Sequence, residues 1–312
     1  MQHRQILCFL SLILVLVLSL FCGSAFGEEI LIDRVNHPEE YADFAFAEDA
    51  ALCGVYYPQI LDTDAALIVC GGEAIMIDVS SRQQSNRVIA LLQQVGVAEL
   101  KYVINTHPHY DHLEGLEELA KNFQVDELKI CFPVDTNDRM TGAMDVCERY
   151  NIPVTHFGDG DVLTVGDALL EVMQLDDGLD INGRSAQIRL VYGERTQMFS
   201  ADMTQKGSAV LVQKYPAEKL QSDILKYPHH GLKELRKDYV EAVQPLLSII
   251  TNNGGKRCKP SRTSCAHYGI AYIYTVPGFV YTLTDGKTWL VDRMEPTTKL
   301  GDPSREDTRT FD

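Results

Sequence analysis

Several things are scarce or missing in this chain of 312 residues, and each absence narrows what it can be. After the first two dozen residues no apolar run approaches the ~20 residues that a helix needs to cross a bilayer, so a multi-span membrane channel is not expected. No cysteine pair has Cys-x-x-Cys spacing, which argues against a cysteine zinc site. Positive charge is in deficit. Against 44 Asp and Glu stand only 28 Lys and Arg, a net charge of −16 that favours solubility and disfavours a surface built wholly for polyanions. No basic stripe interleaved with aromatic residues marks a long nucleic-acid track. No low-complexity linker divides the chain, and no iron-specific or flavin feature is visible.

The one long apolar run is at the start. His3 and Arg4 precede Ile6 to Phe21, and Ala25 and Gly27 supply small residues before Glu28. This reads as an export signal of residues 1–27, with an uncleaved anchor as the alternative. Lipidation at Cys22 is disfavoured by the bulky Phe21 before it. The expected location is secreted or extracytoplasmic. Six cysteines remain after cleavage: Cys53, Cys70, Cys131, Cys147, Cys258 and Cys265. An even number in an exported chain permits three disulfides. Cys258 with Cys265, closing a polar loop, is the first pair to consider, and buried thiols are an equal reading of the others.

Short β-type runs alternate with occasional helices. Ala65 to Cys70 and Ala74 to Asp78 read as strands around a Gly71-Gly72 turn. Val88, Leu91, Leu92 and Val95 recur at helical spacing, and Gly96 can end that helix. Tyr102 to Ile104 reads as a buried strand, Leu116 to Phe123 as a helix and Leu128 to Phe132 as a strand. Further strands are expected at Ala168 to Leu175, Gln187 to Tyr192, Gln197 to Ala201, Asp223 to Tyr227 and Leu247 to Thr251. Three more, Ile270 to Thr275, Phe279 to Thr284 and Thr288 to Asp292, are separated by Pro277-Gly278 and Asp285-Gly286. Pattern alone gives a mixed α/β chain. Residues 28–49 read as an N-terminal extension and 50–292 as the main domain. The polar tail of 293–312, with two prolines, is expected to lack fixed structure.

The densest chemistry lies in Thr106-His107-Pro108-His109-Tyr110-Asp111-His112, which holds three imidazoles and a carboxylate within six residues. His-x-His lets two imidazoles reach one ion, and Asp-His can turn to a second. Imidazole and carboxylate are ligands that zinc, iron and manganese accept. The string His-x-His-x-Asp-His, with Gly115 three residues later, resembles the signature of the metallo-β-lactamase superfamily. A second stretch, Asp223 to Gly231, ends in His229-His230-Gly231. Together they resemble the competence-type branch, the hydrolase domain of the ComEC DNA-uptake channel and its stand-alone secreted relatives. The resemblance covers residues 50–292 and implies a four-layer αββα sandwich.

It also implies a ligand set. His107 and His109 would bind the first metal, Asp111 and His112 the second, and Asp202 would bridge the two. His229 matches the strand-end ligand, with His230 the other candidate for that position. His230 beside it would contact substrate or protonate the leaving group, and Asp78 would be a structural hydrogen-bond acceptor. Two departures stand out. Ala201 precedes Asp202 where the branch usually has Gly. The stretch Asp176 to Ser185 lacks the third His that most of the superfamily gives the first metal, and Asn182 and Ser185 echo the branch's substitutes. A first site of two imidazoles and a shared carboxylate makes manganese plausible beside zinc, one or two divalent ions in all. His37, His156 and His267 read as surface residues.

Such ions acidify water toward pH ~7 and polarise a carbonyl or phosphoryl oxygen, which is hydrolytic chemistry. Asp111 would handle the proton. Lys226, Lys233, Arg236 and Lys237, then Lys256, Arg257, Lys259 and Arg262, form a local basic cluster that would clamp a phosphate if it lined the pocket. A solvated basic face is the equal alternative. The expected substrate is therefore a small or cell-surface phosphoester, with nucleic acid still open. Hydrolysis of a lactone, lactam or thioester, and a non-catalytic metal-binding role, are the competing readings.

Overall fold

Alternation along the strands builds the layers. In the strand Glu73–Val79, Ile75 and Ile77 turn to one side and Ala74 and Met76 to the other, and all four are buried. The first pair joins a cluster with Leu170, Ile188, Phe199 and Ile249 from a second sheet. The second pair joins Leu91, Leu119 and Met140 from covering helices. Burying each such large side chain contributes about 1.5–3 kcal/mol, so a strand apolar on both faces demands a layer on each. This computed structural model describes residues 30–175 and 178–303. The expected signal of residues 1–27, with Asp176, Asp177 and residues 304–312, lies outside the described residues.

The first sheet has nine strands, in the order Leu31–Asp33, Trp289–Met294, Phe279–Thr284, Cys53–Tyr57, Ala65–Cys70, Glu73–Val79, Tyr102–Asn105, Leu128–Ile130 and Val154–His156. The second has seven: Val162–Val165, Ala168–Met173, Gln187–Tyr192, Arg195–Phe199, Ile224–Lys226, Leu247–Ile250 and Ala271–Tyr274. Helices Ser85–Val95, Leu116–Asn122 and Asp138–Tyr150 cover the outer face of the first. Helices Gln205–Lys214, Lys237–Val243 and Lys259–Tyr268 cover that of the second. The result is an αββα sandwich. Between the sheets, the Trp289 indole donates to Asp223 Oδ2 at 3.2 Å.

Each sheet changes from antiparallel to parallel part-way across. In the first, the change falls between Glu73–Val79 and Tyr102–Asn105; in the second, between Arg195–Phe199 and Ile224–Lys226. The loop after Tyr102–Asn105 meets the segment before Gln187–Tyr192, where the Ala186 amide donates to Thr106 O at 3.0 Å. Two glycine positions serve the local turns. Gly71 and Gly72 have φ of 57° and 81°, the pair of positive angles that a two-residue hairpin favours. A Cβ on Gly115 would stand 2.0 Å from Val79 O, so the metal-motif loop can pack this tightly only on glycine.

Three expectations need correction. The segment read as a polar loop between Cys258 and Cys265 is the helix Lys259–Tyr268, and both cysteines are buried free thiols. Seven residues of helix separate Cα atoms by about 10 Å, beyond disulfide reach. Cys53 and Cys70 face each other across two strands, also as thiols. The tail read as structureless is ordered over its described part. Gln94 Nε2 donates to Glu295 O, the Thr297 amide to Gln94 Oε1, and Arg87 to Gly301 O. Leu300 packs on the core, and a buried Arg87 needs those carbonyls. The N-terminal extension adds the edge strand Leu31–Asp33, and Arg34 pairs with Asp292 at 2.9 Å. Among the described residues no helix is long and apolar enough to cross a membrane.

Candidate metal centre

The motif loop hangs on one buried carboxylate. Asp78, at the end of its strand with φ of 55°, accepts from the Thr106 amide at 2.8 Å and the Thr106 hydroxyl at 2.7 Å. Its Oδ2 also lies 2.7 Å from His112 Nδ1. Asn105 Nδ2 closes the turn by donating to His107 O at 2.8 Å. The chain then passes through His109 into the single helical turn Tyr110–Leu113, which carries Asp111 and His112 on adjacent positions.

From the second sheet come Asp202 and the His-His-Gly turn. Asp202 follows the strand Arg195–Phe199 through Ala201, whose φ is 41°. The left-handed region costs a residue with a Cβ roughly 1–2 kcal/mol, which explains why glycine is the easier residue there. His229, His230 and Gly231 are all left-handed, with φ of 51°, 52° and 82°. The His229 amide donates to Ala201 O at 2.9 Å and Asn252 Nδ2 to His230 O at 3.1 Å, holding a backbone that would otherwise relax.

Three groups of possible donors result among the described residues; one, Asp64, Asp78 and His112, stands behind the others, with His112 Nδ1 already on Asp78, and the remaining two share Asp202. In one, Asp111, His112, Asp202 and His230 bring ligand atoms within 4.8 Å of one another; in the other, His107, His109 and Asp202 do so. Asp202 Oδ1 lies 3.2 Å from His112 Nε2 and 3.3 Å from His230 Nε2, while Oδ2 lies 3.9 Å from His107 Nε2. One carboxylate thus faces both sets. Two donors on one ion at ~2.1 Å stand about 3.4 Å apart in tetrahedral geometry, so the spacings suit a metal. The left-handed turn aims the two adjacent histidines differently. His230 points inward, with Nε2 also 3.1 Å from Asp111 Oδ2. His229 stays at the rim, its side chain 25 % exposed and Nε2 3.6 Å from Asp202 Oδ2, in neither donor set.

The electrostatics fit a cation. His112 Nε2 and Asp202 Oδ1 are buried without a hydrogen-bond partner, an arrangement that is expensive unless something else satisfies them. Asp64, Asp78, Asp111 and Asp202 are buried together beside Lys226. Burial opposes a charge on His230, yet Asp202 and Asp64 outweigh it and lift the imidazole to about 10. Burial likewise opposes charging of His112, and Asp202, Asp78 and Asp111 still hold it well above its usual range. Asp202 is held well below the carboxylate range, against its own burial, by His230 and His112. His107 and His109 go the other way, since burial dominates and keeps both low. Neutral rings of that kind are ready ligands.

A profile of the metallo-beta-lactamase superfamily matches residues 60–130, the span from the first ligand-side loop through the motif. Residues 60–130 thus carry the pattern of that superfamily, and the fold agrees with it. It is 23% identical over 173 residues to ComE operon protein 3 of Bacillus subtilis (strain 168), which covers 54% of this chain and 22% of that protein. Among solved structures it is similar to CmlA, a diiron β-hydroxylase from Streptomyces venezuelae. The identity is 12% and the TM-score 0.51, covering 80% of this chain and 55% of that one. An E377D mutant of the CmlA β-hydroxylase gives 15% identity and 0.51, covering 74% and 53%. The chain therefore spans little more than half of these structures and about a fifth of the curated relative.

Within this site, sequence reasoning missed Asp64. It is 4% exposed and sits at the end of the polar run Asp62-Thr63-Asp64 just before a strand, and that run of buried polar residues was the available signal. Burial opposes its ionisation, but Lys226 and His230 hold the carboxyl below its usual range. Lys226, expected at the pocket surface, is instead buried and paired with Asp64. The basic cluster is largely occupied too. Arg257 pairs with Asp62, Arg236 with Asp238 and Lys237 with Glu241, and Arg262 donates to Gly254 O and Gly255 O. Among the described residues, Lys233, Lys256 and Lys259 make no ion pair. In the loop without a third His, the Ser185 hydroxyl donates to Asn182 O at 2.8 Å, and Asn182 Oδ1 is buried without a partner. His37, His156 and His267 lie on the surface.

Proposed function

We propose that this chain is an exported metal-dependent hydrolase that cleaves a phosphoester. The observation that carries the reading is the convergence of His107, His109, Asp111, His112, His230 and Asp202, with the two Asp202 oxygens turned to different donor sets. These residues would hold one or two divalent ions, zinc first and manganese second. Such ions supply Lewis acidity, acidifying water and stabilising charge on the oxygen of the scissile group. Asp111, at 7% exposure the least buried member of its set, would take up the proton released by water. His229, at the rim and with its basicity lowered by burial, would hydrogen-bond the leaving group, the role that the sequence had suggested for His230. The buried Asp64, Asp78 and Lys226 hold the ligands and take no part in bond making.

The phosphoester reading rests on Lys256 and Lys259, exposed in the helical turn Lys256–Cys258 and at the start of the helix Lys259–Tyr268, after the strand Leu247–Ile250. That strand lies beside the one that ends in the His-His-Gly turn. Two or three lysines suit a small or cell-surface phosphate better than a long polyanion, given the net charge of −16. Export rests on the leader of residues 1–27. The test is turnover of bis-p-nitrophenyl phosphate by the purified chain, loaded in turn with zinc and manganese, with bound metal counted by plasma mass spectrometry. Metal-dependent turnover absent from Asp202→Ala supports the reading. Bound metal with no turnover of this ester, and turnover of a p-nitrophenyl acetate control, would replace it with a carbonyl hydrolase. Bound metal with neither activity would favour a non-catalytic metal-binding role.

A further inference from the structure

We propose that the two halves of the centre are unequal: the set Asp111, His112, Asp202 and His230 loads its ion first, and Asp64 is the positioning residue that makes it the tighter site. The inference rests on the reading of these residues as a metal centre.

The far nitrogens of the imidazoles differ between the sets. In the four-residue set both are held by buried carboxylates: His112 Nδ1 lies 2.7 Å from Asp78 Oδ2, and His230 Nδ1 lies 3.0 Å from Asp64 Oδ1. A carboxylate on Nδ1 fixes the tautomer, leaves Nε2 as the donor atom and makes the ring a stronger ligand. The three-residue set has no such support. His107 Nδ1 faces the neutral Thr106 hydroxyl at 3.2 Å, and among the described residues no carboxylate forms an ion pair or hydrogen bond with His109. Charge points the same way, with two carboxylates in one set and a single shared one in the other.

Asp64 does more than hold one ring. Thr251 Oγ1 donates to its Oδ1 at 2.7 Å, and Lys226 pairs with its Oδ2 while donating to Ala201 O at 3.2 Å, next to the bridging Asp202. The Asp64 amide donates to Asp111 O at 3.0 Å, and its carbonyl accepts from the Ser80 amide at 2.8 Å beside Asp78. Every ligand segment of the four-residue set is therefore tied, directly or through one neighbour, to Asp64. Such ties remove rearrangement that the ligands would otherwise undergo on binding. Asp64's own oxygens are already engaged by His230, Thr251 and Lys226, so it acts through those neighbours rather than as a ligand.

The experiment is a calorimetric titration of the metal-free full chain with Mn²⁺, alongside counted metal content. The wild type is expected to bind two ions in separated steps. His109→Ala should keep the tight step and lose the weak one. Asp64→Asn should weaken the tight step by about 10–100-fold, the usual effect of removing a partner of a metal-bound imidazole. If Asp64→Asn fails to fold, Thr251→Val, which removes one neighbour of Asp64, should weaken the same step by a smaller factor. Loss of the tight step in His109→Ala, two steps of equal affinity, or unchanged affinity in the foldable variant would overturn the inference while leaving a metal centre. No binding by the wild type would instead remove the metal reading itself.

Discussion

The two halves of the candidate centre share one aspartate, Asp202, and yet are built by different rules. His107 and His109 come from a single tight loop, and their arrangement is almost entirely local. The other set joins Asp111 and His112 to His230, whose Nδ1 partner Asp64 is 166 positions away in the chain. Buried carboxylates stand behind both of its imidazoles, while a neutral hydroxyl stands behind His107 of the loop. A compact motif announces a metal centre, but long-range buried acids decide how firmly each half is held.

The most severe way to erase the difference is to remove what the halves share. Asp202→Ala should lower bound metal at both sites and reduce turnover by on the order of 10³-fold, several kcal/mol of lost stabilisation. Plasma mass spectrometry of the variant checks this, and full retention of one ion would refute the bridging role. A finer cut compares the adjacent histidines. His230→Gln should remove the tightly held ion, whereas His229→Ala should keep metal content and lower kcat by about 10–100-fold as a substrate-side contact is lost. Equal metal loss in the two variants would contradict the inward and outward orientations described above.

Outside the centre, Lys256→Ala combined with Lys259→Ala should raise KM for a phosphodiester severalfold with little change in kcat. These exposed charges attract substrate without touching the reacting atoms. A fall in kcat alone would argue that they reach further in. The smallest expected effect is a gain. Ala201→Gly relieves a left-handed alanine and should raise Tm by about 2 °C, seen in a thermal melt, with metal stoichiometry unchanged.

Much of the layout was legible locally. The hairpin around Gly71-Gly72 and the helix ended by Gly96 follow from turn and cap chemistry, and both occur where the pattern put them. The amphipathic code failed on Asp138–Tyr150, a helix with a mostly charged outer face and Gly142 in its interior. It failed again on Lys259–Tyr268, where basic residues on the solvent side masked a buried stripe of Ser261, Ser264 and Cys265. Lys226 misled for the opposite reason, as a lysine in a strand looks exposed until an acid from a remote loop neutralises it.

The spacing of His107, His109, Asp111 and His112 by itself determined that metal chemistry belongs in one loop, because donors that near each other in the chain meet with little help from the rest of the fold. Which of His229 and His230 turns inward was decided only in three dimensions. Three successive left-handed residues aim the side chains, and that backbone is held by Ala201 and Asn252 from elsewhere in the chain. Asp64 belongs to the same class. An aspartate before a strand carries no sign of its partner, and only the closing of one sheet on the other brings His230, Lys226 and Thr251 around it, where burial turns a routine acid into a fixed point of the site.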